Sequence, residues 1–557
     1  MNRSDIKINS LFGLTIITSL MIGQSFNGFG QDDWSEPGEI ENAEIIIEKD
    51  RQVTLPAVIR PYSKIPPDDA SQTIIPQTYD FNNYILTGSV YDPNLQAKVI
   101  LPNENKNSLQ NYVKGGLGNY ASFLAEASLN TSSKNFAAGL FLKHKSFARG
   151  PVDRSNSAAG DTEALLFTRL AQKKSVLSVD LGFNSVQRHY YGYGETPATS
   201  DEVGKQVYNT FDFSIGLKST DEQSGFDYDS KISLYRLGDK FDASESGFKI
   251  DLNSKVALDE GIAIRLNSTA LLSKYKDNSS QSRNLVKFIS GIDYALGKLS
   301  IIGAANLVLS NDSVVNAKNF RIYPYVIVNY KLNDSWNING GLRGDLESVT
   351  LRSISKENEY INNNLPLFHS NKKIEIFGQV DGNFSSNVGI AGGFSFANFE
   401  NLYFYANAFK DSTKFDLLYD FDGTSVLNLF ASFTVSPVED LTINSRVDYF
   451  KYNTKINSPL HRPDYSGSIF INYELNRKFL IRVDGSITGG IKGLNLQSAS
   501  SQKLSAFADL NLNFEYQLNK NLGVFLQINN LLNQDYERYL NYKNRALMVL
   551  ASVRYQF

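Results

Sequence analysis

Cysteine is absent from the 557 residues, which excludes thiolate chemistry, disulfide staples and a lipid-modified cysteine near an export cleavage point. That absence says little about compartment, because a large secreted chain can do without bridges. An excess of charge of one sign is lacking too: 55 basic residues stand against 58 acidic ones. With no basic run interleaved with stacking aromatics, no nucleic-acid partner is expected. Histidine is scarce, and His144, His189, His369 and His461 are widely separated, without HExxH or other close ligand spacing, so no metal centre is expected. Beyond the first 30 residues no stretch of about 18 uninterrupted apolar residues occurs, so any membrane crossing must be made of strands.

What is present suits strands. The 30 Tyr, 36 Phe and 39 Gly, set among many Asn and Ser, fit aromatic girdles, pleated strands and polar turns. A chain of this length could hold several soluble domains, or one large barrel whose size follows strand number.

Residues 1–30 read as a signal peptide. Arg3 and Lys7 charge its start, Leu11 to Ile22 is mostly apolar, and Gly28 and Gly30 place small residues before a cleavage site near Gln31. Residues 31–109 read as an extended periplasmic or lumen-entering segment. Acidic residues cluster from Asp32 to Glu48, and Pro37, Pro56, Pro61, Pro66, Pro67 and Pro76 interrupt any long element. Within it Ile45, Ile46, Ile47, Val53 and Leu55 form a strand-like stretch that could add to the sheet edge of a periplasmic or outer-membrane protein partner. A semi-rigid linker against the barrel base is the competing reading.

From about residue 110 to the end one unit repeats: a strand of about ten residues with period-two polarity, a tight turn, another strand, then a longer polar loop. The clearest strand is 504–518. Leu504, Ala508, Leu510, Leu512, Phe514 and Tyr516 share one face, Asp509, Asn511, Asn513 and Glu515 lie opposite, and Phe507 is the apolar exception on the polar side. Leu427 to Val435 and Leu441 to Tyr449 repeat the arrangement around a short connection, which implies antiparallel pairing. At the end Val553, Tyr555 and Phe557 share a face on the barrel-closing strand. Charges on the polar faces, including Arg446, Asp448 and Glu515, suit a hydrated lumen better than a dry sandwich interior.

Tight turns are expected near 132–135, 172–175, 220–225, 260–261, 297–299, 333–335, 384–387, 437–440, 476–478 and 518–521, separating eleven outward hairpins. The expected fold is therefore all-β, a large transmembrane antiparallel barrel of 22 strands, in the cell outer membrane with its lipid. Residues 111–130 as one long strand, or an extra element in 349–370, would change that count to between 20 and 24. The longer outward loops are expected at 149–160, 192–205, 349–370, 453–463 and 534–545.

No nucleophile is recognisably paired with His and a carboxylate, and Lys114–Gly118 and Gly489–Gly493 match neither a Walker loop nor GxGxxG before a helix. No catalytic, cofactor or metal site is therefore expected, and no enzyme. The run His189-Tyr190-Tyr191-Gly192-Tyr193-Gly194 offers Tyr190, Tyr191 and Tyr193 as ligand-contacting aromatics or, more simply, as part of the outer girdle.

Residues 521–557, with Leu522-Gly523-Val524-Phe525-Leu526-Gln527-Ile528-Asn529-Asn530-Leu531-Leu532-Asn533-Gln534-Asp535-Tyr536 and the closing Val553-Arg554-Tyr555-Gln556-Phe557, resemble the last two strands of TonB-dependent receptors. The resemblance implies a 22-strand barrel and a terminal aromatic, matched by Phe557, read by the outer-membrane assembly machinery during insertion. It fails before the barrel. About 80 residues separate Gln31 from the first clear strand, where a receptor plug needs well over a hundred, and no convincing TonB-contacting box is present. The chain looks like a plugless TonB-receptor-like barrel of the kind found in Bacteroidota, and TonB contact is doubtful. Three functions follow: a transport-related or accessory barrel within an envelope complex, a self-sufficient porin or nutrient channel, and a non-conducting structural subunit of secretion or assembly machinery. A barrel so wide needs its lumen narrowed by inward-folding loops, by residues 80–109 or by a partner.

Overall fold

The computed structural model describes residues 111–557 apart from 194–202, 221–224, 313–318, 457, 477 and 496–499. The expected signal peptide, the 31–109 segment and the docking residues Ile45, Ile46, Ile47, Val53 and Leu55 lie outside the described residues.

Strand follows strand antiparallel in chain order, from Tyr112–Gly118 to Met548–Gln556, in one sheet of 22. The first and last of these pair with each other, Tyr112 opposite Gln556 and Gly118 opposite Leu550, so the sheet closes and has no free edge. A Cβ on Gly118 would lie 2.2 Å from the Val549 carbonyl oxygen. The glycines of the Lys114–Gly118 run thus let the two ends of the wall meet at the seam. Residues 111–130 are a hairpin, Tyr112–Gly118 paired with the start of Ser122–Ser132.

Each of the ten expected tight turns joins two wall strands, and Asn111 and Phe557 lie at that same end, joined by the Phe557 N–H donating to the Asn111 carbonyl. Short connections mark the periplasmic end of such a barrel and long ones the outward end. Several strands run to 15–17 residues, as in Ser175–His189 and Ser280–Leu296. A membrane needs only about 9–11 tilted residues, so these strands also build a rim above it.

Alternation sorts the two faces as the sequence requires. Leu142, Leu181, Ile232, Leu252, Ile292, Val447 and Val553 all point outward and lie exposed. A belt of that extent would aggregate in water and is the surface of a barrel meeting lipid. Exposed rings border it. Phe136, Phe226, Tyr330, Phe384, Tyr555 and Phe557 stand toward the tight-turn end, and Phe123, Phe320, Tyr449 and Tyr465 toward the other. The inner face carries ion pairs such as Arg265–Asp293 (2.6 Å), Arg446–Asp448 (2.7 Å) and Arg554–Glu515 (2.7 Å).

One expected strand needs correction. The wall strand begins at Phe507, not at 504. Ser500–Lys503 instead pairs with Lys492–Asn495 in a short separate hairpin, and the Leu504 N–H donates to the Ile491 carbonyl (2.9 Å), holding Leu504 in that loop. Gly489–Gly493 is where the chain leaves the wall for this hairpin. No helix among the described residues is long and apolar enough to cross a membrane.

Candidate functional site

Among the described residues the largest buried cluster lies at the outward end of the barrel, where Tyr208, Leu237 and Tyr275 of the wall meet the outward connections. It gathers side chains from the outward connections: Tyr191, Val349, Leu351, Ile354, Ile361, Tyr403, Tyr405, Phe415, Tyr539 and Tyr542 among others. Together these connections form a lid.

Residues 348–369 supply its first part. Helix α1 (Leu351–Glu357) starts at Thr350, whose hydroxyl accepts from the Ser353 N–H (3.0 Å) while the Ser353 hydroxyl accepts from the Thr350 N–H (2.8 Å). This reciprocal cap satisfies donors that a short buried helix would otherwise leave unpaired. Although the segment joins the thirteenth and fourteenth wall strands, it is anchored far around the ring. The Arg352 N–H donates to Glu245 (2.9 Å), Arg352 pairs with Asp212 (2.7 Å), and Glu359 takes a bidentate pair from Arg188 (2.6 and 2.9 Å). Asp212 and Arg188 stand on Lys205–Ser219 and Ser175–His189, so the segment crosses the mouth.

The second part is a hairpin inside the barrel, Leu402–Asn407 paired with Phe415–Asp420. All six residues of its first strand are buried. The Tyr403 hydroxyl donates to the Glu357 carboxylate (2.6 Å), the Tyr405 hydroxyl to the Ile354 carbonyl (3.3 Å) and the Tyr539 hydroxyl to the Glu357 carbonyl (2.7 Å). Arg462 completes the node with a 3.0 Å ion pair to Glu357, the two side chains only 3% and 7% exposed. Glu357 therefore ties together four outward connections.

Two histidines, His369 and His461, are structural parts of this assembly. His461 Nδ1 lies 2.7 Å from the Tyr405 carbonyl oxygen, and its Nε2 faces the Leu540 N–H at 3.2 Å. One nitrogen must donate and the other accept, which only the neutral ring does. Burial pushes its pKa down to about 4, the Tyr405 contact opposing only in part. His369 Nδ1 accepts from the Val349 N–H (3.2 Å) and faces Arg283 Nη2 at 2.9 Å, and burial with the Arg283 charge holds it well below the usual imidazole range.

The tyrosine run has a different place from the girdle. Tyr190 and Tyr191 are buried in the lid, and the Tyr190 hydroxyl donates to the Ile361 carbonyl (3.1 Å). Tyr193 reaches Asp153 at 2.5 Å. Tyr191 meets Tyr542 at 4.9 Å and Tyr360 at 5.9 Å between ring centroids, and Tyr360 stacks on Tyr542 at 3.7 Å. A Cβ on Gly192 would lie 2.4 Å from the Tyr542 ring, so only glycine lets that ring approach. Burial raises the Tyr360 and Tyr542 hydroxyls well above the ordinary range, keeping them neutral.

These three rings come from connections spread around the mouth. Tyr191 follows the fifth wall strand, Tyr360 lies between the thirteenth and fourteenth, and Tyr542 between the last two. They depart from points about a third of the ring apart, and because Tyr191 lies only two residues beyond its wall strand, the connections bearing Tyr360 and Tyr542 must reach across the mouth to meet it. Phe507, the apolar exception on an inward face, belongs to the same roof, stacked on Tyr536 at 4.1 Å beside Ile491, Leu504 and Leu540. The inner hairpin 402–420 had no counterpart among the expected loops. Its signal was the unbroken run Leu402-Tyr403-Phe404-Tyr405, which marks a strand buried on both faces. Val553, Tyr555 and Phe557 stand on the lipid side of the closing seam, far from the lid.

No family model matches the sequence, and no curated protein matches it. Solved structures do match the fold. The FrpB iron transporter from Neisseria meningitidis superposes with a TM-score of 0.63 at 9% identity, covering 80% of this chain and 81% of that one. The pyoverdine outer membrane receptor FpvA from Pseudomonas aeruginosa gives 0.61 at 10% identity, covering 82% and 79%. The ferric-catecholate import receptor Fiu from Escherichia coli gives 0.61 at 9%, covering 81% and 82%. The chain thus shares the fold of these transporters and receptors, a closed barrel of 22 antiparallel strands.

Proposed function

We propose that this chain is a transport-related outer-membrane barrel that works as a subunit of a larger envelope complex and keeps its outward mouth shut by the lid. The observation that carries the proposal is the convergence of Tyr191, Tyr360 and Tyr542. A 22-strand wall encloses a lumen wide enough to need closing, and the roof favours a gated passage over a self-sufficient open porin.

The same proposal assigns residues 1–30 to export and residues 31–109 to the periplasm or lumen, without a conventional plug domain. Ile45, Ile46, Ile47, Val53 and Leu55 are offered to a protein partner, and TonB-driven uptake is not part of the reading. Two experiments test it. The purified chain in planar bilayers should show little conductance, and a large nonselective conductance would refute the gated reading. Co-purification from native membranes in mild detergent should lose a partner when residues 40–60 are deleted; unchanged recovery of every partner would sink the docking role.

A further inference from the structure

One row of directly opposed residues runs across eight wall strands on the lipid side: Leu142, Ala164, Phe183, Phe211, Arg236, Ser246, Lys274 and Ser282. Directly opposed residues share a face. In a tilted barrel such a row climbs as it goes round, and its chemistry changes as it climbs. The first four members are apolar or small; from Arg236 on they are basic or hydroxylic. The row above repeats the second half as Gly238, Ser244, Lys276 and Ser280. Arg236 and Lys274 lie two residues from the lidward ends of Phe226–Gly238 and Ile262–Lys276, and Lys276 ends its strand.

Arg236, Lys274 and Lys276 are exposed and have no ion-pair partner among the described residues. Cations on the lipid face are tolerated near the interface and costly deeper down, so the patch belongs at headgroup level. Beneath Arg236 the outer surface is hollowed into a groove of about 470 Å3 lined by Leu166, Leu181, Phe183, Phe211, Leu234 and the Arg236 stem. Phe183 and Phe211 meet there at 4.8 Å between ring centroids. The groove reaches across five strands, about 19 Å at the usual strand spacing, which is broader than a single acyl chain. Arg236 and Lys274 stand two strands apart, about 10 Å, enough for separate phosphates.

We infer that this face holds one phosphorylated, multiply acylated glycolipid of the outer leaflet, with its chains in the groove and its phosphates on Arg236, Lys274 and Lys276. Charge complementarity at the rim and an apolar trough below it point to the same molecule. The inference rests on the outer-membrane reading above, and membrane fractionation of the same cells separates failure of that reading from failure of the lipid site.

The test uses the full chain in micelles carrying either diphosphoryl lipid A or the same lipid stripped of its phosphates, read by native mass spectrometry. At least a ten-fold preference for the phosphorylated form is expected. The R236Q/K274Q/K276Q variant should bring that preference to parity, with unchanged heat-modifiable migration reporting an intact barrel. Phe211→Ala should lower retention of both lipids and leave the preference in place. Equal retention of the two lipids by the natural chain, or an undiminished preference in the triple variant, overturns the inference.

Discussion

The wall and the lid are built from opposite kinds of contact. In the wall each strand pairs with the next wall strand along the chain, one face wet and one in lipid, and among the described residues the seam between first and last strands is the one backbone pairing of strands far apart in sequence. In the lid, partners come from far apart, as in the Tyr191 hydroxyl donating to the Lys543 carbonyl at 3.1 Å, and aromatic and charged groups are buried together. A wall side chain can therefore be lost with local consequences, whereas a lid side chain holds several segments at once.

The sharpest way to break the comparison is Glu357→Ala. It strands the buried Arg462 charge and frees Tyr403, which should cost the lid about 3–5 kcal/mol. Bilayer conductance should rise while the heat-modifiable migration of the barrel stays as it was. A variant that remains shut would show that Glu357 is no keystone.

Acid should act in the same direction. Folded His461 has its pKa lowered to about 4 from an unfolded value of 6.5, so the unfolded lid binds the proton more readily. Its contribution, on the order of 3 kcal/mol, is fully present above pH 6.5 and is lost as pH falls toward about 4. Conductance followed between pH 7 and pH 4 should increase, and the His461→Gln variant should flatten that dependence.

Charging the lipid face damages the other region. Val447 is exposed in the middle of Leu441–Asn453, and Val447→Arg should destabilise insertion by about 2 kcal/mol or more. Urea titration in lipid vesicles would read this, with the conductance of correctly inserted molecules unchanged. The smallest effect is expected inside the wall. Arg446→Gln removes a partly exposed pair with Asp448, worth less than about 1 kcal/mol in a hydrated lumen. A loss comparable to that of Glu357→Ala would mean that the lumen is not wet there.

The wall was legible because period-two alternation and turn chemistry are local signals. Glu260-Gly261, Asn387 and Asp440 sit where a strand must reverse, and Leu510, Leu512 and Phe514 alternate with polar residues along a single strand. The lid was not legible, because its logic is spatial. Nothing near Glu357 in sequence announces Tyr403, Arg462 or Tyr539. His461 looked like a loop histidine because its partners stand 56 and 79 residues away. The tyrosine run drew notice for its composition, yet only the closure of the ring decides whether Tyr191 faces lipid or the barrel axis. Strand 504–518 was extended too far because Leu504 and Ala506 continue the alternation while the chain is already in a loop.

The meeting of Tyr191, Tyr360 and Tyr542 also orders events during biogenesis. One of the three belongs to the last hairpin, so the roof cannot be finished until the final strands have been synthesised, exported and zipped against Tyr112–Gly118. A stalled intermediate would carry most of its wall beneath an unfinished seal. Completion of the chain and loss of leakiness are thereby coupled, and a cell could read the quality of assembly simply from what passes through.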